Sequence, residues 1–376
     1  MDHISALCIL PNRFIRPKNT DWRHGIFLRN SFSEFGAELG ISFHLRDSLP
    51  SILSMNWRYL APALARRLHM PLLGRDMPDY FVPLFTADKA SRHDVLYAYG
   101  CYPKESRLPV LWHTGPTDIN LLLRRGTPAE SIEKEINAKR ICVSRSAAIA
   151  VSSTAGQSAF ESQFPESKGK VCVLPFLLRN VKAIDELFLK TKHMDSSPID
   201  MLFVGREARR KGLDILIESY QLARRKIPSL RLTVVSSMTD GTIKLPSDVR
   251  YFRDLAHADI QKLMRSSHIY AMPSREESYG LVFIEAFAAG AAVIGPNREP
   301  QRSLFNHGAC GVLIDDSVDN QVGRLGRAIV KLCDNPSERL SLAKAALQEF
   351  NEKYCEHAVL SQYANLLRAT ARGSDI

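Results

Sequence analysis

The chain has 376 residues, of which 45% are hydrophobic and 24% are charged. At roughly 150 residues per domain, this length favours two domains, each large enough to bury its own apolar core. The composition is close to the globular average, which excludes disordered, fibrous and collagen-like chains. No apolar run reaches the roughly 18 to 20 residues of a membrane-spanning helix, so we expect no such helix.

The charge is positive, with 50 Lys and Arg side chains against 40 Asp and Glu, a net +10. Residues 1–196 hold most of the excess, with 26 basic and 19 acidic side chains. This balance predicts an anionic partner: nucleic acid, a phosphorylated substrate or an acidic membrane surface. No zinc finger, RNA-binding aromatic signature or helix-turn-helix pattern is present, so we predict no nucleic-acid partner.

The seven cysteines are scattered and form no C-x-x-C pair. This pattern argues against a disulfide framework or a cysteine zinc site and is typical of a protein in a reducing cytosol. The apolar segment 4–10 follows Asp2 and His3 and precedes no small-residue cleavage site. It therefore reads as a first buried strand rather than a signal peptide, and we expect a cytoplasmic protein.

Short β-branched runs alternate with helical stretches along the first half of the chain. The predicted strands are 4–10, 41–45, 94–99, 109–113, 147–152 and 170–174. The predicted helices between them include 25–39, 128–144 and 154–164. Strand and helix in this alternation predict a parallel sheet with helices on both faces.

The polar stretch 190–198 interrupts this alternation and reads as an interdomain linker. Beyond it the predicted strands are 200–204, 230–235, 249–252, 268–272, 291–294 and 311–314, and the predicted helices include 212–226, 258–265 and 282–289. The segment from 320 to 372 is mostly helical in pattern. We therefore predict α/β domains at 1–189 and 199–354, with a last helix at 355–376.

A basic loop follows the predicted strand 200–204, in the sequence F-V-G-R-E-A-R-R-K-G-L-D. The strand ends at Gly205, and a helix begins near Gly212. Arg206 and Lys211 therefore lie between a strand's carboxyl end and a helix's amino end, a place that favours anions. Guanidinium and ammonium groups there suit a diphosphate, although a solvated charged loop is an equally good interpretation at this stage.

A second strand end carries M-P-S-R-E-E-S-Y-G-L-V-F-I-E-A-F-A-A-G, residues 272–290. Glu277 lies in the loop and Glu285 eight positions later, a rise of roughly 12 Å if all eight residues were helical. That spacing suits a grip on the two ends of an extended ligand. The first amides of the helix, near Gly280 and Leu281, could hold an anion between them. A nucleotide-diphosphate sugar has this distribution of groups.

Glu285 interrupts an otherwise apolar helix that should be buried all round. An ionised carboxylate there needs hydrogen-bond partners. Ribose hydroxyls of a bound nucleotide would supply them, and a structural carboxylate with internal partners is the alternative.

The Gly205, Arg206, Lys211 and Gly212 spacing, followed by P-S-x-x-E-x-x-G-L…E-A, resembles glycosyltransferase family 4. The resemblance covers most of 200–316 and is thinner in the first half. It implies a GT-B fold: two Rossmann-like doubly wound domains facing across a cleft, with the C-terminal helix returning to the N-terminal domain. It also implies an enzyme that transfers a sugar from a nucleotide diphosphate with retention of configuration.

The resemblance assigns roles to individual residues. Arg206 and Lys211 would bind the donor phosphates and neutralise the charge on the departing diphosphate. Glu285 would bind the ribose, and Glu277 would face the transferred sugar. His113, in L-W-H-T-G at a first-domain strand end, matches a histidine that reaches the donor sugar.

Further assignments concern the donor amides and the acceptor. Gly280 and Leu281 would bind the donor, and Gly25 would stand for the family's paired-glycine loop after the first strand. No Asp-x-Asp is placed to hold a metal, so we expect neither a metal nor a cofactor. The acceptor would be a glycan or a lipid-linked sugar bound by the first domain, in bacterial polysaccharide or lipopolysaccharide assembly.

Segment 56–75 mixes Trp57 and Tyr59 with four arginines, a pattern suited to an anionic membrane surface. An amphipathic helix packed on its own sheet is the alternative. Two other functions stay open: a nucleotide-sugar epimerase of the same fold, and a degenerate homologue that binds a nucleotide sugar as a sensor or partner subunit. A nicotinamide dehydrogenase would need G-x-G-x-x-G after an early strand, which the chain lacks.

Overall fold

A computed structural model of the chain describes residues 4–10, 36, 38–47, 81–82, 93–99, 102–103, 106–116, 119–124, 126–178, 180–194, 198–237, 243–315 and 320–374. The chain divides into two units. The first consists of Met1–Leu177 together with Val359–Ile376, and the second of Leu178–Ala358. Each unit contains one six-stranded parallel sheet.

The first unit is built around a sheet whose central strands are buried on both faces. Its strands are β1 Ile4–Leu10, β2 Ile41–Asp47, β4 Val95–Tyr99, β6 Val110–His113, β7 Ala148–Val151 and β8 Val171–Val173, in the order β2-β1-β4-β6-β7-β8. A separate pair joins β3 Phe81–Val82 to β5 Tyr102–Pro103. The helices of this part are α1 Ile119–Arg124, α2 Ala129–Arg145 and α3 Thr154–Gln163.

Successive residues of a strand point to opposite faces, so β6 contributes to two apolar layers. Trp112 packs on one face of the sheet with the aromatic side chain Phe160. Leu111 packs on the other face, in a cluster that also contains Tyr363 from the last helix of the chain. The continuous apolar run V-L-Y-A-Y of β4 follows from the burial of both faces.

The second unit repeats this architecture. Its strands are β9 Asp200–Val204, β10 Arg231–Val235, β11 Arg250–Phe252, β12 Ile269–Ala271, β13 Ala292–Pro296 and β14 Val312–Ile314. Its helices are α4 Glu186–Met194, α5 Leu213–Arg224, α6 His257–Ser266, α7 Leu281–Ala288, α8 Gln301–Leu304, α9 Gln321–Asp334 and α10 Pro336–Glu349. A turn of π-helix, Phe350–Tyr354, leads to α11, Glu356–Arg372.

The strand order of this sheet is β11-β10-β9-β12-β13-β14. The chain runs outward from β9 in one direction and from β12 in the other, so the order reverses between these two neighbours. In open α/β sheets, ligands bind beyond the carboxyl ends of the strands at such a reversal. The loops after β9 and β12 are therefore the first place to look for a site.

The predicted α/β fold class is confirmed, and each of the twelve predicted strands is present with ends within two residues. The predicted helix 25–39 lies outside the described residues, apart from 36, 38 and 39, which form turns. None of the helices in the described part of the chain is long and apolar enough to cross a membrane.

The polar stretch interpreted as a linker at 190–198 needs correction. Residues up to Met194 belong to α4. The chain passes from the first unit to the second between Leu177 and Leu178, and returns to the first between Ala358 and Val359. The polar composition of this stretch suggested an exposed linker, but Lys192 and His193 are buried. Their side chains donate to the backbone carbonyl of Gly290, at 3.1 and 2.8 Å, so they join α4 to the second unit.

Candidate functional site

The loops after β9 and β12 are held together by arginine side chains. The backbone N–H of Arg275 donates to the carbonyl of Arg210 at 2.8 Å, and Arg210 Nη1 donates to the carbonyl of Glu276 at 3.0 Å. The Arg275 guanidinium also makes two bonds to the Asp214 carboxylate, at 2.7 and 2.8 Å. Two such bonds fix orientation as well as distance, so the loops form one surface.

Gly212 lets the two loops approach each other at the backbone. It has a φ of +76°, and a Cβ built on it would lie 2.0 Å from the carbonyl oxygen of Pro273. Any side chain at this position would therefore push the loops apart, and the left-handed conformation favours glycine independently. Gly212 also precedes α5, so the same contact sets where that helix begins.

Lys211 and Glu277, one from each loop, form an ion pair between Nζ and Oε2. Only 12% and 10% of their side chains are exposed. The other carboxylate oxygen of Glu277 accepts from the backbone N–H of Ser278 at 3.2 Å. The structure thus brings together two residues that the sequence assigned to the phosphate and sugar ends of a ligand, and it pairs them with each other.

Arg206 lies on the loop that directly follows β9, and its side chain is exposed. Its backbone carbonyl lies 3.5 Å from the hydroxyl of Ser236, which follows the neighbouring strand β10. The exposed guanidinium of Arg206 and the nearly buried ammonium of Lys211 therefore both belong to the loop at the carboxyl end of β9. An anion bound at this loop would contact Lys211, which its ion pair with Glu277 holds in place, and Arg206, whose exposed side chain is free to reorient.

Gly280 is the N-terminal cap of α7 and has a φ of +97°. Among the residues that the structure describes, no side chain caps this helix end, so the first amides, including that of Leu281, have no side-chain acceptor there. Gln301 is fully buried beside this turn, and its Nε2 would lie 3.0 Å from a Cβ at Gly280. Within the described residues, neither polar atom of the Gln301 amide has a hydrogen-bond partner.

Glu285 lies on α7 with 13% of its side chain exposed. Its Oε2 accepts from Gln261 Nε2 at 3.2 Å, and its Oε1 lies 3.3 Å from His257 Nε2. Both partners come from α6, where their i, i+4 spacing places them on one face. The carboxylate therefore has internal partners, and a ligand's hydroxyls would have to join or displace them.

Tyr270 connects the two carboxylates electrostatically. Its side chain is fully buried on β12, and its hydroxyl donates to the carbonyl of Val204 at the end of β9, at 3.2 Å. Burial raises the pKa of Tyr270 well above its ordinary value, and the negative charges of Glu277 and Glu285 raise it further. The negative charges of Glu277 and Glu285 therefore both act on the Tyr270 hydroxyl, which lies where the strand order reverses between β9 and β12.

His113, in the first unit, is buried at the carboxyl end of β6. Its Nδ1 lies 2.9 Å from the hydroxyl of Tyr97 and 3.2 Å from that of Tyr363, and its Nε2 lies 3.4 Å from the hydroxyl of Ser152. Burial lowers the pKa of His113 to about 3, so the imidazole is neutral. It can exchange hydrogen bonds but carries no charge near neutral pH.

Sequence reasoning did not identify Tyr270, His257, Gln261 or Gln301. The only available signal was the pair of polar residues four apart on α6. Gly25 and segment 56–75 lie outside the described residues. Among the residues that the structure does describe, no group of three or more His, Cys, Asp or Glu side chains is arranged to hold a metal ion.

Comparison with known proteins matches residues 185–349 to the family model described as glycosyl transferases group 1. The chain is 25% identical over 249 residues to a D-inositol 3-phosphate glycosyltransferase of Pseudarthrobacter chlorophenolicus, covering 62% of this chain and 58% of that protein. It is 24% identical over 183 residues to a phosphatidyl-myo-inositol mannosyltransferase of Mycobacterium tuberculosis, covering 46% and 48%. The chain thus spans about half the length of the curated relatives it matches.

Solved structures resemble the chain over nearly its whole length. HepE of Anabaena, in complex with UDP and glucose, superposes with a TM-score of 0.60 at 16% identity and covers 98% of this chain and 100% of its own. WaaG, a glycosyltransferase involved in lipopolysaccharide biosynthesis, gives 0.58 at 15% identity, with 97% and 99% covered. The chain therefore has the GT-B fold, with two Rossmann-like units.

Proposed function

We propose that the chain is a glycosyltransferase that moves a sugar from a nucleotide diphosphate to an acceptor hydroxyl. The observation that carries this proposal is the contact between Lys211 and Glu277 at the strand reversal of the second unit. The match of residues 185–349 to glycosyl transferases group 1 supports it, because both side chains lie inside that segment.

The donor site follows from the charges around this contact. Arg206 and Lys211 would bind the diphosphate, and the uncapped first turn of α7 would add backbone N–H donors from Gly280 and Leu281. Glu285 would bind the ribose hydroxyls. HepE, which shares the fold, was solved with UDP and with UDP-glucose, and this favours a nucleotide-sugar donor for our chain.

The chemistry requires stabilisation of the charge that grows on the departing diphosphate. Arg206 and Lys211 are the cations of the β9 loop that we assign to this role. When Lys211 moves from Glu277 towards the phosphates, the Glu277 carboxylate is released to meet the positive character that develops on the sugar ring. We therefore propose a transfer that needs neither a metal nor a cofactor and that proceeds with retention, as in glycosyltransferase family 4.

The acceptor is proposed from the relatives and from the resemblance. The two curated relatives described above carry inositol 3-phosphate and phosphatidyl-myo-inositol in their names, and WaaG is described as involved in lipopolysaccharide biosynthesis. We propose a glycan or lipid-linked acceptor bound by the first unit, in bacterial polysaccharide or lipopolysaccharide assembly, at the cytoplasmic face of the membrane. Absence of co-sedimentation with anionic liposomes at low salt would contradict the membrane part of this proposal.

Donor binding can be tested by following thermal stability with UDP, GDP and ADP. A ligand at one hundred times its Kd stabilises the protein by about 2.7 kcal/mol, which is an increase in Tm of several degrees. We expect one nucleotide to give this shift in the wild type, and Glu285→Gln to reduce it. Glu218→Gln is the control, because Glu218 is an exposed carboxylate on α5. If no diphosphate stabilises the wild type, the donor site is wrongly assigned.

Turnover separates the alternatives that share this fold. The matching labelled sugar donor is offered with and without lipid-linked acceptors. Transfer to an acceptor identifies the transferase, consumption of donor without acceptor identifies an epimerase, and binding without turnover identifies a sensor or partner subunit. Glu277→Gln should lower the transfer rate while the nucleotide still raises the Tm, because Glu277 is assigned to the sugar end.

A further inference from the structure

A cavity of about 330 Å³ lies at the opposite edge of the second unit's sheet from the β9 and β12 carboxyl ends. Three of its lining residues mark the amino ends of neighbouring strands: Asp200 begins β9, Arg231 begins β10, and His268 precedes β12. Thr191 and Lys192 of α4, and Arg265 and Ser266 at the end of α6, also contribute polar side chains to the lining. The cavity is therefore separate from the candidate donor site.

Positive charge dominates this cavity. Lys192, Arg231 and Arg265 come from three different elements, and Asp200 is the single carboxylate among the described lining residues. Asp200 is engaged by Arg231, whose Nε and Nη2 each donate to it at 2.7 Å. Among the lining residues that the structure describes, no further carboxylate balances Lys192 and Arg265, and their charges attract an anion to the same space.

Lys192 is the most buried of these cations, with 8% of the residue exposed. Its Nζ donates to the carbonyls of Ala289 and Gly290, at 2.9 and 3.1 Å, just beyond the end of α7, and to that of Met264 on α6, at 3.5 Å. These carbonyls orient the ammonium but do not neutralise it. Burial, together with the nearby charge of Arg265, lowers the pKa of Lys192 to about 7.

The groups behind Lys192 are also basic or neutral. Arg339 is fully buried and donates from Nε to His193 Nδ1 at 3.2 Å, and burial lowers the pKa of His193 to about 3. His268 accepts from the backbone N–H of Asp200 at its Nδ1, at 3.0 Å. None of these groups therefore brings a negative charge to the cavity.

We propose that this cavity is a second binding site of the protein, for a doubly charged phosphate group. Arg265 supplies an exposed guanidinium, and Lys192 supplies a fixed positive charge close to it. Phe188 of α4, which is exposed at the cavity wall, gives an organic substituent of a phosphate ester an apolar surface. This site does not depend on the proposed function, since none of its residues belongs to the donor site.

Binding at this site would be linked to proton uptake. An anion beside Lys192 stabilises its charged form and raises its pKa, so Lys192 gains a proton near pH 7 when the anion binds. The affinity for the anion should therefore fall as the pH rises above the pKa that Lys192 has in the free protein. Sulfate is the better probe of this linkage, because it has two charges and no proton equilibrium near pH 7.

The test is calorimetric titration of the whole chain with inorganic phosphate, sulfate and phenyl phosphate. Near pH 7, the heat of sulfate binding should change between buffers of different ionisation enthalpy by the amount that proton uptake predicts. Arg265→Gln should weaken phosphate about tenfold, because one charge-assisted contact is lost. Arg224→Gln is the matched control, since Arg224 is a partly exposed arginine at the end of α5, paired with Asp248. It should leave phosphate affinity unchanged.

Two further variants keep the result interpretable. Phe188→Ala should weaken phenyl phosphate and leave inorganic phosphate unchanged, which separates an ester site from a site for the free anion. Arg206→Gln, which changes the exposed cation of the β9 loop, should leave binding at this cavity intact. If Arg206→Gln removes binding while Arg265→Gln does not, the anion sits at the β9 loop and our proposal is wrong. Equal affinity in Arg265→Gln and Arg224→Gln, or no saturable heat, would also overturn it.

Discussion

Replacing Lys211 with Met should strongly destabilise the second unit. The substitution leaves the Glu277 carboxylate nearly buried, with 10% of its side chain exposed and its cationic partner gone. Removing one partner of a buried ion pair costs about 3 to 5 kcal/mol, and partial exposure here favours the lower value, about 3 kcal/mol. For a unit spanning residues 178–358, this lowers the Tm by roughly 6 to 12 °C.

The assay is differential scanning calorimetry of wild type, Lys211→Met, Glu277→Gln and the double variant. Removing both charges abolishes the uncompensated carboxylate, so the double variant should recover about 2 kcal/mol relative to Lys211→Met. Lys344→Met is the control, because its ion pair with Glu186 is largely exposed, and its Tm should match the wild type. A double variant as unstable as the sum of the single changes would refute a buried pair.

Two other predictions test the geometry around the sites. Gly212→Ala should cost about 1 to 3 kcal/mol more than Gly308→Ala. Both glycines have positive φ, but a Cβ at 212 meets Pro273 at 2.0 Å, whereas one at 308 has its nearest neighbour at 4.0 Å; equal costs would contradict the backbone contact. His113 stays neutral when folded, so between pH 7 and 5 its protonation in the unfolded state should cost about 2 kcal/mol of stability. His113→Gln should reduce this loss of stability, which denaturant titration at both pH values measures. An equal loss in wild type and variant would contradict a neutral, buried His113.

The sequence predicted the strands well because parallel strands covered on both faces are continuous apolar runs. The A-I-A-V of β7 is an example, with every residue buried. The same logic failed for α4. Lys192 and His193 look like linker residues, and they are buried only because carbonyls almost one hundred positions later accept from them. Such a distant partner has no local signature.

The candidate site likewise has residues that the sequence could predict and contacts that it could not. Gly205–Gly212 and the two glutamates were visible because strand-end loops and a charge inside an apolar helix are local patterns. The pairing of Lys211 with Glu277 was not visible, since it depends on β9 and β12 being neighbours. The same holds for His257 and Gln261 at Glu285, because α6 and α7 meet only in the folded unit.

The helix α11 gives the nascent protein an unusual order of assembly. Val359, Leu360 and Tyr363 pack on the sheet of the first unit, and the Tyr363 hydroxyl lies 3.2 Å from Nδ1 of His113, a residue that leaves the ribosome 250 positions earlier. The second unit is encoded as one unbroken stretch and can form while this final segment is still being translated. Until α11 arrives, Tyr97 and its neighbours on that face of the first sheet lack the side chains of Val359, Leu360 and Tyr363 that complete their apolar cluster.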